Sequence, residues 1–191
     1  VVTATVGQLG PAALSGYGLG SRLELMLTPL VFGVGSALTA GVGANVGAQN
    51  FQRARSIAWA GASIAFLVTG GIGIMVAVIP ELWLDWFTAD EAAYEVAVLY
   101  LAIAGPFYGF FGAGQALYFA SQGTGRLLLP ICVGVVRFLT ISLVGLVAVL
   151  VDWPIQVVFA GVSAGLLVTG IGMALCLFSP DWRTRLQTSK N

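Results

Sequence analysis

The sequence has no histidine, two cysteines, and charge on only 8% of its 191 residues. Each shortage excludes something. Without histidine, the commonest general base and metal ligand is missing. Cys132 and Cys176 stand alone in apolar runs with no CxxC spacing, so disulfide and zinc readings find no support, and both thiols are expected to be buried as small hydrophobes. There is no Ser–Lys or Asp–Asp arrangement at workable spacing and no P-loop, and Gly123-Thr124-Gly125 is too short for a nucleotide fingerprint. Neither an enzyme nor an organic cofactor is expected, and a net charge of zero offers no argument for a nucleic-acid partner. Soluble domains carry about 25% charged residues, so this chain lacks the charge to coat a water-facing surface.

What is present is apolar length. Hydrophobic residues make up 58% of the chain and mean hydropathy is +0.95, which places it in the integral membrane class. The first residues, VVTATVGQLGP, read as the tail of a helix stopped at Gly10-Pro11. They lack the charged region, short apolar core and cleavage site of a signal peptide, and a piece cut inside a preceding helix is the economical reading. A long helix follows from Tyr17 to Gly47, about 46 Å at roughly 1.5 Å per residue, with Pro29 interrupting its apolar run and an arginine pair, Arg53 and Arg55, closing the stretch. Residues 56–84 form a second span, with Trp83 and Trp86 where an aromatic belt meets the interface. Thr88 and Glu91 fit a capping box opening a third span over 91–121, with Pro106 inside it. A fourth runs over 127–151 and a fifth over 154–178, followed by a polar tail at 181–191. The expected fold is an all-α membrane protein, a six-helix lobe over residues 1–180 made of five complete helices and the end of a sixth.

Loop charges test this division independently. Connections after the first, third and fifth complete helices hold Arg53, Arg55, Arg126, Arg183, Arg185 and Lys190. The intervening connections hold Glu81, Asp85, Asp90, Glu91, Glu95 and Asp152, with no Lys or Arg. The positive-inside rule puts the first set in the cytoplasm. The C-terminal tail is then cytoplasmic, and the membrane is expected to be the cell (inner) membrane.

Glu24 is the carboxylate expected within the span. At about 100° per residue, Tyr17, Ser21, Glu24, Thr28, Gly35 and Thr39 share roughly a 60° arc. Lipid cannot satisfy such a stripe, so it faces protein or a water-filled cavity. Either Glu24 lines a cavity and exchanges a proton or binds a cation, or it sits at the external interface or pairs with Arg137 and only holds helices together. Arg22, about 160° round the helix, is expected to snorkel to the interface rather than pair with Glu24. Arg137 lies deep in its span, as a structural ion pair or a cavity residue. Tyr108, Gly112, Gln115 and Gln122 share another face, where Tyr108 and Gln115 either present hydrogen-bonding groups to a cavity or tie neighbouring helices. Gly16xxxGly20, Gly43xxxGly47 and Gly161xxxGly165 report close helix packing.

Several stretches resemble one transporter family. Gly20-Ser21-Arg22-Leu23-Glu24, the small-residue run GVGSAL at 33–38 and VGANVGAQNFQRAR at 42–55 are similar to the eighth-helix region of the multidrug and toxic compound extrusion (MATE) transporters. LWLDWFTADEA at 82–92 resembles their external turn between helices nine and ten, and ALYFASQGTGR at 116–126 the exit of helix ten. The resemblance implies a C-terminal lobe of six helices partnered by an N-terminal six-helix lobe in the same bilayer. It implies export of small cationic or amphipathic substrates in exchange for H⁺ or Na⁺. The polar helix faces make Glu24 the candidate coupling carboxylate and Tyr17, Ser21, Thr28, Tyr108 and Gln115 the substrate-cavity candidates. Many members carry an acid within helix seven or ten, whereas the ten-like helix here has none near Phe111. Lipid-linked oligosaccharide flippases share the bundle, and a membrane fragment with no transport of its own is the reading from another class.

Overall fold

The computed structural model describes residues 2–8, 10–87, 90–179 and 182. α1 (Val2–Gly7) ends before Gly10, whose φ of 116° turns the chain in a region open to glycine at little cost. α2 (Pro11–Gly47) starts with proline in its first turn, where the missing N–H costs nothing. Its 37 residues make a rod of about 55 Å. It begins six residues before the expected Tyr17 and runs through Pro29 without a break.

α3 (Phe51–Val78) is capped by Asn50, whose side chain accepts from the Arg53 N–H at 3.1 Å. It does not continue to Leu84 as expected. Pro80 lacks an N–H and its ring would clash with the carbonyl four residues back, so α3 closes and a single turn, α4 (Glu81–Leu84), follows. α5 (Glu91–Ala104) takes Asp90 as its cap, accepting from the Ala92 N–H at 3.3 Å; Thr88, expected in that role, lies outside the described residues. Pro106 sits in a 3₁₀ turn (Gly105–Phe107) joining α5 to α6 (Tyr108–Thr124). Gly125 in the left-handed region (φ 72°) then caps α6. α7 (Leu128–Leu150) and α8 (Ile155–Cys176) complete the bundle. Of the tail, only Trp182 is described, and it is buried with Ala54, Ala58 and Leu177. Among the described residues, five spans are long and apolar enough to cross a bilayer, and no strand is present.

Lipid tails are as apolar as leucine, so close packing and interhelical hydrogen bonds must hold such helices together. α2 buries Gly16, Gly20, Leu23, Leu27, Val31, Gly35, Leu38 and Val42, a stripe stepping by three or four residues. Side chains on Gly16 and Gly20 would overlap Val96 and Tyr100 of α5, and one on Gly35 would overlap the Phe119 ring of α6. Thr39 Oγ1 donates to the Phe119 carbonyl at 2.9 Å, Thr69 Oγ1 to the Tyr108 carbonyl at 2.9 Å, and Ser163 Oγ to the Ile103 carbonyl at 3.0 Å. These bonds tie α2 to α6, α3 to α6 and α8 to α5.

α7 stands at the periphery and buries only Pro130, Gly145 and Ala148. It presents Ile131, Val135, Phe138, Leu139 and Leu143 outward, an apolar face suited to lipid or to another helix rather than to water. Cys132 is therefore exposed while Cys176 is buried, which corrects the expectation that both thiols are interior.

Tertiary contacts also sort the helix ends. At one end Gly43 packs on Gly123 and the Arg55 guanidinium lies 4.4 Å from the Phe178 ring centroid. At the other, Trp83 Nε1 donates to the Leu19 carbonyl at 3.1 Å, and Arg22 lies 5.7 Å from the Phe87 ring centroid. Arg22 is exposed there.

Candidate functional site

The Glu24 carboxylate is held by side chains of two other helices. α2 carries it about 20 Å from the Pro11 end, one residue beyond buried Leu23. The Arg137 guanidinium donates from Nη2 to Glu24 Oε1 at 3.1 Å, and the side chains retain 27% and 17% exposure respectively. The Tyr100 hydroxyl of α5 donates to Oε2 at 3.4 Å. Arg137 sits nine residues into α7, about 14 Å from its start, so the pair joins α2 to α7 near the middle of the latter.

An aromatic frame surrounds the carboxylate. Tyr17 and Tyr100 meet edge to face with centroids 5.4 Å apart, Tyr100 and Phe159 likewise at 5.1 Å, and Tyr17 stacks on Phe159 at 6.2 Å. Arg137 lies 5.7 Å from the Phe111 centroid, within cation–π range. The frame draws on α2, α5, α6 and α8 and limits water at the pair, which strengthens any charge–charge attraction there.

The other candidates separate into groups. Tyr17 lines a cleft of about 330 Å³ together with Thr3, Gly134, Arg137 and Ser142. Ser21 and Thr28 turn back on their own helix, Ser21 Oγ to the Gly18 carbonyl and Thr28 Oγ1 to the Glu24 carbonyl, each at 3.4 Å, and Thr28 is exposed. Further down the stripe, Gly35 and Thr39 face α6. Tyr108 is fully buried beside Tyr100, its hydroxyl short of hydrogen-bonding geometry. Gln115 is half-buried on α6. Gly112 makes room for Thr69 and the Ala65 carbonyl of α3 rather than for a ligand. Tyr100, Phe159 and Ser142 were not anticipated from the sequence. One signal for Tyr100 was available: Gly20 lies one turn before Glu24 on the same face, and its missing side chain is the space the Tyr100 ring fills.

Comparison with known proteins identifies the family and the fold. The sequence profile of the MatE family matches residues 1–149. The probable multidrug resistance protein NorM of Thermotoga maritima is 27% identical over 134 residues, covering 70% of this chain and 29% of NorM. The solved MATE transporter ClbM in complex with Rb⁺ superposes with a TM-score of 0.79 at 22% identity, over 98% of this chain and 42% of ClbM. The chain thus spans less than half the length of either. With the profile covering most of its length, the chain belongs to the MatE family.

Proposed function

We propose that the chain is the C-terminal half of a multidrug efflux antiporter that exchanges H⁺ or Na⁺ for small cationic or amphipathic substrates by alternating access. The observation that carries this reading is the placement of Glu24: a carboxylate inside the bundle of a MatE-family chain, held by a single arginine bond rather than locked in a saturated network. Intramembrane carboxylates default to functional roles because they are costly to keep there. A proton, a sodium ion and a substrate's cationic group each compete for the same carboxylate and each displaces Arg137. Mutual exclusion at one group is the minimum requirement of an exchanger. The substrate would bind between this lobe and an N-terminal six-helix partner, and rocking of the two would expose it to either side. One charge crossing 100 mV is worth about 2.3 kcal/mol, ample to drive export.

NorM's name supports the multidrug reading, and ClbM's bound Rb⁺ supports a monovalent cation somewhere in the cycle. The test is Glu24→Gln in the full-length transporter. Gln keeps an acceptor for Arg137 but removes its counter-charge, so efflux is compared per folded transporter, and ion-driven drug efflux in proteoliposomes should be lost. Wild-type efflux in that variant would remove Glu24 from coupling.

A further inference from the structure

A groove of about 350 Å³ runs along α3, lined by Trp59, Ala62, Ser63, Phe66 and Leu67 and by Ala113 of α6. It lies away from α1, which packs on α2, α7 and α8. Ala62, Ser63 and Ala113 leave the space, and two rings bound it. Phe66 is fixed edge to face on Phe110 with centroids 5.3 Å apart, and Trp59 lies against Phe178 at 6.2 Å. The surrounding surface is apolar too, with Ile64, Leu67 and Val68 exposed. One hydroxyl in the lining cannot hold a charged ligand, so the groove suits hydrocarbon.

A cation stands at one end of it. Arg55, Trp59, Ala62 and Phe66 share an arc of about 60° on α3, and the Arg55 guanidinium lies 4.4 Å from the Phe178 ring centroid. Arg55 is half-buried, and among the described residues no carboxylate pairs with it. Arg53 projects about 160° away round the helix and is exposed. From Arg55 to Leu67 the rise is about 18 Å, close to the ~15 Å of one leaflet in a ~30 Å hydrocarbon core. The cation is then at headgroup level, and Trp59, an apolar body with one N–H, suits the ester level below it.

We infer that this face of α3 and α6 is a binding site for an anionic phospholipid, its phosphodiester on Arg55 and the upper part of one acyl chain in the groove. The inference goes beyond the exporter reading and needs only a bilayer around the bundle. A protein helix laid in the groove would cover its apolar lining but leave Arg55 unanswered, whereas the lipid answers both. Guanidinium recognises phosphate strongly, and a zwitterionic headgroup answers it less well because its own ammonium competes for the phosphate.

The experiment uses the full-length transporter in phosphatidylcholine vesicles with a rising share of phosphatidylglycerol. One lipid at a time carries bromine on its acyl chains, which quenches a tryptophan it touches. The Trp59 signal is the difference between wild type and Trp59→Phe. Phosphatidylglycerol should be preferred about fivefold, equivalent to about 1 kcal/mol, the attraction of one arginine to an anionic membrane surface. Arg55→Gln should bring the two lipids within about twofold while both still quench Trp59. Ala113→Leu, which fills the groove and leaves Arg55 in place, should abolish the preference and lessen quenching by either lipid. Ser63→Leu, on the exposed side of α3, fills the same recess and decides if Ala113→Leu does not fold. Absence of Trp59 quenching by both lipids would overturn the proposal and show that a protein segment, of this chain or of a partner lobe, covers the groove. Equal quenching by the two lipids in wild type would overturn it, as would an undiminished preference in Arg55→Gln or in the groove-filling variants.

Discussion

At the residue scale, Glu24 and Arg137 each need the other more than the bundle needs either. Removing one partner of a buried pair leaves an uncompensated charge and costs about 3–5 kcal/mol, while replacing both is often neutral. The partial exposure of these side chains puts Arg137→Ala at the lower end, about 3 kcal/mol. A double-mutant cycle with Glu24→Gln and Arg137→Gln, read by unfolding in detergent, should return a coupling of about 1–3 kcal/mol. Additive effects would mean that the 3.1 Å contact contributes nothing to stability. Tyr100→Phe removes a 3.4 Å bond, longer than usual for O–H···O, and should cost under about 1 kcal/mol. The role of Glu24 as a candidate was legible because a lone carboxylate in an apolar helix is conspicuous. Arg137 was one of the partners the sequence offered, because it too is a lone charge deep in a span, but Tyr100 was not, since no periodicity connects separate helices.

At the element scale, glycines decide which helices can touch. A Cβ on Gly73 would run into the Gly105 carbonyl, and one on Gly105 into the Gly73 carbonyl at 2.6 Å. The backbone of α3 thus presses directly on the Pro106 turn. Gly73→Val should lower the unfolding midpoint by the equivalent of about 1–3 kcal/mol or more, the usual cost of overpacking. Gly71 lies two positions away on the exposed face, and a Cβ there meets nothing. Gly71→Ala should therefore be neutral or stabilising by up to about 1 kcal/mol. Thermal unfolding of the two variants side by side checks this, and a Gly73→Val midpoint equal to wild type would refute the contact. Prolines show how much local chemistry predicts. Pro11, Pro80 and Pro106 mark an element boundary or a 3₁₀ turn, whereas Pro29 lies inside unbroken α2. The same residue has both outcomes because neighbouring turns and helices can hold a helix through one lost bond.

At the scale of the whole molecule, the two ends of the bundle differ in charge and in chemistry. Arg53 and Arg55 lie at the end where α2 meets α6 and α3 reaches Phe178 just past α8, while Glu81, Asp85 and Asp90 lie at the end where Trp83 and Phe87 cover α2. With Cys132 and Cys176 replaced by Ala, single cysteines at Gln52 and Arg126 should label together with a membrane-impermeant thiol reagent. One at Asp152 should label from the opposite side. In intact cells the Asp152 site should react and the other two should not. Reaction of all three from one side would break the assigned topology.

Composition alone determined the class, because 8% charge cannot solvate a folded surface of this size. Hydrophobic run lengths determined the five spans, and loop charges determined which ends belong together, since both report the chain's one-dimensional passage through a slab. The family was legible in local motifs such as Gly20–Glu24 and residues 42–55. Only the tertiary structure decided that α7 is peripheral and leaves Cys132 exposed, that Gly20 admits the Tyr100 ring, and that Glu24 meets both Arg137 and Tyr100. Those facts depend on which faces of different helices come into contact. In a membrane that choice is made by small residues and interhelical bonds rather than by hydrophobicity, and an apolar pattern along one helix does not specify it.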